Sequence, residues 1–394
     1  MPHLEPETPP VETPLPPLPA PGAEPLALTR VVGAAVVYRL YDVGYEIHLD
    51  RALELLSSSA PDRARPVLGE GQAIQIMNPP VTVILGTESL VVGAQRVEAE
   101  ASARIFDFGV VSLRLRVPAP SGVTWMEYAD FGNAVDVGID LTPVFSRHLK
   151  LLMERIAPAV GRQEIAAVTE DYVVFRITHL TDAAGRELPT DILRAEDVAP
   201  LLLNERRPLS SEALRELLPN RFSYYSDDLA ILTWDNALVV EPAAEDTDLQ
   251  YVLEFANAQL LELRVYDALL DAQLPMMYSR VAAARRSGLA RIVRRYAPLL
   301  GDLQTLVADS TELVERVENA LKVTDDVYLA RVYSSALDIF RGRVWRGGIE
   351  RKLAIIRETY AMLNDEAQAS RAEALEIAIV LLIVAELVMA MFVH

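Results

Sequence analysis

Ile377-Ala378-Ile379-Val380-Leu381-Leu382-Ile383-Val384-Ala385-Glu386-Leu387-Val388-Met389-Ala390-Met391-Phe392-Val393-His394 closes the chain, and the expected topology turns on it. From Ile377 to Val393 the one ionisable side chain is Glu386. As a helix this run would rise about 26 Å, near the ~30 Å hydrocarbon core of a bilayer. It reads as a single C-terminal transmembrane helix over residues 375–394, a tail anchor. Glu386 does not forbid insertion. A carboxylate at mid-membrane costs roughly 2.5–3.5 kcal/mol, while the Leu, Ile, Val and Phe residues of the run together return about 3–7 kcal/mol. Arg371 precedes the run and no Lys or Arg follows it. That asymmetry puts the N-terminal part in the cytoplasm.

Upstream of the apolar run the period becomes helical. Ile349, Leu353, Ile356, Tyr360, Leu363, Ala367, Ser370 and Ala374 step by four and three. So do Leu253, Ala256, Leu260, Leu263, Asp267, Leu270 and Leu274. Such spacing is a heptad seam, and residues 243–374 are expected to form a helical hairpin or coiled-coil stalk. Further helices are expected over about 288–320 and 324–345, and a last one from about 349 to 393.

Residues 28–242 mix the two periods. Residues 31–40 are β-branched and apolar, and 81–85, 171–177 and 229–232 also read as strands. Over 104–117, Val111, Leu113, Leu115 and Val117 alternate with Ser112, Arg114 and Arg116, the pattern of a half-buried strand, with a bend at Asp107-Phe108-Gly109. Residues 46–57, 141–156 and much of 191–218 have helical spacing. The expected fold class is an α+β N-terminal domain, then a long-helix or coiled-coil bundle, then a single C-terminal transmembrane helix. Residues 1–27 form a separate Pro-rich arm. The first 25 residues hold ten Pro, four Glu and no Lys or Arg, so they read as a disordered tether and as neither a secretory nor a transit signal. With no import signal, the expected location is the cytoplasmic membrane of a bacterium.

The net charge is −19, which disfavours general DNA or RNA binding. No Cys is present, so disulfide and thiol chemistry are excluded. Phosphate-loop, dinucleotide, zinc-protease and serine-hydrolase motifs are absent, and no cofactor is expected. Asp42, Glu46, His48 and Asp50 lie close in sequence but do not share one helix face, so capping and solvation account for them better than a metal. Asn257, Arg264 and Asp271 repeat every seven residues, with Asp267 in reach of Arg264. They read as a binding stripe or as a polar layer inside a bundle. Arg291, Arg294 and Arg295, within the basic stretch Arg280 to Arg295, offer a patch for anionic lipid or a ribosome. An enzyme reading would place Asp227, Asp228 or Arg264 in a pocket between sheet and bundle.

Four stretches carry a family resemblance. They are Ile105-Phe106-Asp107-Phe108-Gly109-Val110-Val111, Glu170-Asp171-Tyr172-Val173-Val174-Phe175, Ser226-Asp227-Asp228-Leu229 onward to Trp234, and Leu253-Glu254-Phe255-Ala256-Asn257-Ala258-Gln259-Leu260-Leu261-Glu262-Leu263-Arg264 followed by Tyr266 and Asp267. The chain resembles the required-for-meiotic-nuclear-division family over about residues 30–394. The tail departs at Ile377, where the family pattern has tryptophan. The resemblance implies an inner-membrane protein with no established enzymatic activity. A mitochondrial member of that family is similar to a tether that supports organellar translation. The functional expectation is therefore a non-enzymatic, tail-anchored membrane scaffold that forms homo-oligomers through its stalk, with Glu386 facing its counterparts.

Overall fold

The computed structural model describes residues 29–59, 78–242, 247–285 and 326–392, with isolated positions 301, 304, 305 and 308. The Pro-rich arm, the expected helix over 288–320 apart from those four positions, and the Arg291, Arg294, Arg295 patch lie outside the described residues.

The sheet is built on β1 (Arg30–Asp42), whose apolar run is buried on both sides. Val31, Ala35, Val37 and Tyr41 enter one core, and Val36, Tyr38 and Leu40 the other. Around it lie β3 (Val81–Val92), β4 (Gln95–Ile105), β5 (Val110–Pro118), β7 (Thr169–Thr181), β8 (Arg221–Phe222), β9 (Leu229–Leu232) and β10 (Asn236–Val240). Their order is β3-β4-β5-β1-β7-β10-β9-β8. The pair β7–β10 is parallel and the other neighbours are antiparallel. Two short strands, β2 (Glu46–Ile47) and β6 (Val160–Gly161), pair separately.

Five helices fill the first face: α1 (Leu49–Ser59), α2 (Trp125–Asp136), α3 (Thr142–Ile156), α4 (Ala195–Leu202) and α5 (Ser211–Leu217). In α3, Phe145, Leu149, Leu152 and Ile156 form the buried stripe. At the start of α2 a reciprocal cap joins Thr124 and Glu127: the Glu127 N–H donates to Thr124 Oγ1, and the Thr124 N–H donates to Glu127 Oε2 at 2.8 Å. Tyr128 then donates its hydroxyl to Arg176 O at 2.9 Å, fixing α2 on the sheet. Because β7 and β10 are parallel, the chain must cross over between them, and α4 and α5 lie on that crossover. The N-terminal part is thus an α/β domain on one large sheet, with helices on both faces, which corrects the expected α+β class.

The stretch over 104–117 is also corrected. It is two strands. β4 stops at Ile105, β5 starts at Val110, and the Phe106 N–H donates to Val110 O at 2.9 Å across the hairpin. Gly109 closes the turn with φ +93°, and a Cβ there would lie 1.8 Å from Gly44 O. Any side chain must therefore push the β1–β2 connection away. Gly109→Ala is expected to cost about 2–3 kcal/mol. Urea unfolding checks this, and an unchanged midpoint would refute it.

The second face carries α6 (Asp248–Arg285) and α7 (Val327–Ile339). After a break at Arg341, whose φ is +54°, α8 runs over Gly342–Phe392. It lies parallel to α6: Arg264 sits over Trp345, and Asp267 and Asp271 both meet Lys352. The seam residues Leu263 and Leu270 of α6 are buried, as are Ile349, Leu353, Ile356 and Leu363 of α8. These buried members of the two rows thus belong to one chain, where α6 and α8 pack together. The first turns of α6 rest on the sheet and share its core, so this helix is part of the domain before it leaves it.

Among the described residues no helix is long and apolar enough to cross a membrane. The apolar run of α8 with described side chains covers 377–389. Glu386 lies within it. The expected transmembrane helix and tail anchor over 375–394 are overturned on that finding.

Candidate functional site

Helix α6 carries Asn257, Arg264, Asp267 and Asp271, four of the polar residues that the sequence singles out. Every residue from 249 to 263 is buried, so this part of the helix has no solvent face. Gln250, Glu254, Asn257, Gln259 and Glu262 are all buried with it. Burial of this kind is costly unless the groups find partners. Two ion pairs to the sheet supply the main ones. Arg104 Nη1 of β4 donates to Glu254 Oε2, and Arg104 also lies over the Tyr251 ring at 4.8 Å. Arg264 Nη1 donates to Glu170 Oε1 of β7.

The register explains why both pairs form at once. Arg104 pairs with Ser112, Ser112 with Leu40 and Leu40 with Glu170, so the four make one row across β4, β5, β1 and β7. Three strand spacings amount to about 14 Å. From Glu254 to Arg264 the helix rises about 15 Å. Helix α6 therefore crosses the strands along this row. It is tied at one end by a sheet cation to a helix anion, and at the other by a sheet anion to a helix cation.

The remaining candidates have similar roles. Asn257 Nδ2 donates to Leu253 O at 2.9 Å, within its own helix. Lys352 Nζ of α8 donates to Asp267 Oδ1 at 2.7 Å and meets Asp271 Oδ1 at 2.7 Å. Burial pulls Lys352 down, but the bonds and charges of the two aspartates outweigh it and raise its pKa. Glu170 moves up: burial is the main cause, and Arg264 opposes it. Tyr333 of α7 donates its hydroxyl to Gln259 Oε1. The structure thus brings Arg264, Asp267 and Asp271 to internal partners at the helix–sheet and helix–helix contacts. Arg104, Glu170 and Lys352 were not among the sequence candidates. Their partners lie far along the chain, and no local pattern marks them.

Asp227 and Asp228 do not form an acid–base pair in a cleft. Asp228 Oδ1 accepts the Tyr224 and Tyr225 N–H groups at 2.7 and 3.0 Å and shapes the turn before β9. Asp227 is exposed. His48 and Glu46 stand 3.7 Å apart at the surface. Among the described residues no group of three or more His, Asp or Glu could hold a metal ion. A shallow groove of about 660 Å³ lies on the β3–β4–β5 end of the sheet, where Arg116 stands between Glu98, Glu100 and Thr87. Two carboxylates and one guanidinium are its only charged groups. Glu386 is exposed near the end of α8.

Residues 32–247 match the family model described as "Uncharacterized protein MJ0711, N-terminal domain". The chain belongs to this family. The match to the MJ0711 N-terminal domain family runs from β1 to the residue before α6. The chain is also similar to the uncharacterized protein MJ0711 of Methanocaldococcus jannaschii, with 27% identity over 191 residues, covering 48% of this chain and 58% of that protein. The aligned part is less than two thirds of that relative. No solved structure matches. This relative is archaeal, and among the described residues no helix can cross a membrane. The expected place in a bacterial inner membrane is overturned on both counts. Neither the family description nor the name of the relative states an activity.

Proposed function

We propose that this chain is a non-enzymatic scaffold that gathers several copies of its α/β domain through the far end of α8. One observation carries the reading. From Ile377 to Met389, ten large apolar side chains of α8 stand exposed. Leu381, Leu382, Ile383 and Val384 are consecutive, and at ~100° per residue they turn apolar surface to every side. Leaving such a surface in water costs on the order of 10 kcal/mol. A single partner helix covers one side only, so the assembly brings three or more helices together. The internal use of Arg264, Asp267 and Asp271 also favours a scaffold over an enzyme. The likeness to the required-for-meiotic-nuclear-division family, whose mitochondrial member is similar to a translation-supporting tether, belongs to the same proposal.

Leu381 and Val388 lie one heptad apart on one line of the helix. The double change Leu381→Glu, Val388→Glu is expected to shift the full chain to monomer in sedimentation velocity, with the unfolding midpoint of the domain unchanged. Glu386→Leu is expected to strengthen assembly, because it removes a polar group from the contact that the apolar side chains form. A wild-type chain that sediments as a monomer at micromolar concentration would rule out the scaffold reading.

A further inference from the structure

A different surface, unconnected with the end of α8, is an exposed aromatic platform at the far edge of the sheet. Tyr224 is 62% exposed and Tyr225 67%. Their two rings meet edge to face at 4.8 Å, and the ring of Tyr328 in α7 lies 5.4 Å from that of Tyr224. Asp228 holds the backbone of both exposed tyrosines, and Ser223 Oγ donates to Tyr225 O at 2.8 Å. The turn therefore holds the backbone that carries both rings. Val327, 83% exposed, extends the apolar surface beside Tyr328. Exposed Arg331 lies over the ring of Phe222, 5.4 Å from its centre, and adds a positive charge at the border.

Rigid aromatic ledges of this kind take proline-rich segments, whose extended helix binds with little loss of entropy. The chain carries such a segment: Thr13-Pro14-Leu15-Pro16-Pro17-Leu18-Pro19. The register shows that it starts from the right place. Gly33 pairs with Ile177, Ile177 with Val240 and Val240 with Leu229, so the first residues of β1 and the Tyr224–Tyr225 turn lie at the same end of the sheet. They are three strand spacings apart, about 14 Å. The stretch from Pro19 to Thr29 spans about 31 Å when extended. The stretch 13–19 itself carries no charge, so the carboxylates of Asp228, Glu241 and Asp326 around Tyr328 do not repel it. We infer that the Tyr224, Tyr225 and Tyr328 platform docks the proline-rich stretch 13–19 of the same chain.

The test is photocrosslinking of the full chain with benzoylphenylalanine in place of Leu15 or Leu18, read by mass spectrometry of the monomer band. Crosslinks to peptides holding Tyr224, Tyr225 or Tyr328 are expected. In Tyr224→Ser, Tyr225→Ser their yield is expected to fall about tenfold, corresponding to ~1.4 kcal/mol. Both tyrosines are exposed, so an unchanged unfolding midpoint will show that the variant is folded. Crosslinks elsewhere, none at all, a yield unchanged in the double variant, or crosslinks only between chains would each overturn the inference.

Discussion

Glu254→Ala is expected to cost about 3–5 kcal/mol, the largest effect of any single change proposed for this chain. The side chain of Glu254 is 2% exposed and that of Arg104 10%. Removing the carboxylate takes away the anion that Arg104 meets under α6, where its guanidinium also reaches Thr82 Oγ1, at 3.4 Å, and the Tyr251 ring. Water cannot replace the lost partner without opening the contact between helix and sheet. The penalty thus includes the cost of leaving the buried guanidinium short of its anion and overstates what the pair itself contributes. Replacing both members, Arg104→Met with Glu254→Leu, is therefore expected to recover most of the loss. Urea unfolding of the two single variants and the double variant forms a cycle. A loss below about 1 kcal/mol in Glu254→Ala would mean that the tie is solvated, and the description of α6 as pinned at that end would fail.

Asp42→Asn is expected to stabilise the protein at pH 8 by up to about 4 kcal/mol and to change little at pH 4. Asp42 ends β1 and is buried. Burial is the main force raising its pKa to about 7; the Gly44 N–H, which it accepts at 3.3 Å, pulls the other way, and the charge of Glu164 adds to the rise. In the unfolded chain the group titrates near 3.8. Between about pH 4 and 7 the folded state keeps a proton that the unfolded state has lost, so stability falls as pH rises through that window and stays lower above it. Asn keeps an oxygen for Gly44 and carries no charge. The difference between variant and wild type should grow with pH and level off above about 7. A difference that stays flat from pH 4 to 8 would contradict it. Glu170, Asp136 and Glu241 are also raised, chiefly by burial, and slope the same way in both proteins, so only the difference reports on Asp42.

How far the chain could be read depended on how local each signal was. The run 31–40 reads as a buried strand because its β-branched residues are contiguous, and β1 forms there. The helix α3 shows in the three- and four-residue steps of Phe145, Leu149, Leu152 and Ile156. By contrast, the apolar alternation of 104–117 runs on, so Asp107-Phe108-Gly109 reads as a bend within one strand, and the structure, with Gly109 at positive φ, makes it a turn between two. The second strand of the β3–β4 hairpin is masked by Ala and Glu, which favour no strand by themselves. Among the site residues, Arg264 stood out by its spacing, but its partner Glu170 lies 94 positions away.

The sequence alone determined the two heptad rows, the buried strand at 31–40, the absence of thiol chemistry and the apolar character of 377–389, because each rests on the kind and spacing of neighbouring residues. Tertiary structure decided the rest. Strand order and the parallel β7–β10 pair depend on which distant segments meet. So does the placing of Arg104 and Glu170 in one row, which matches the rise of α6 and turns a suspected binding stripe into the ties of a buried helix. An ion pair needs its two charges within a few ångströms, and that distance is set by the fold, not by separation along the chain.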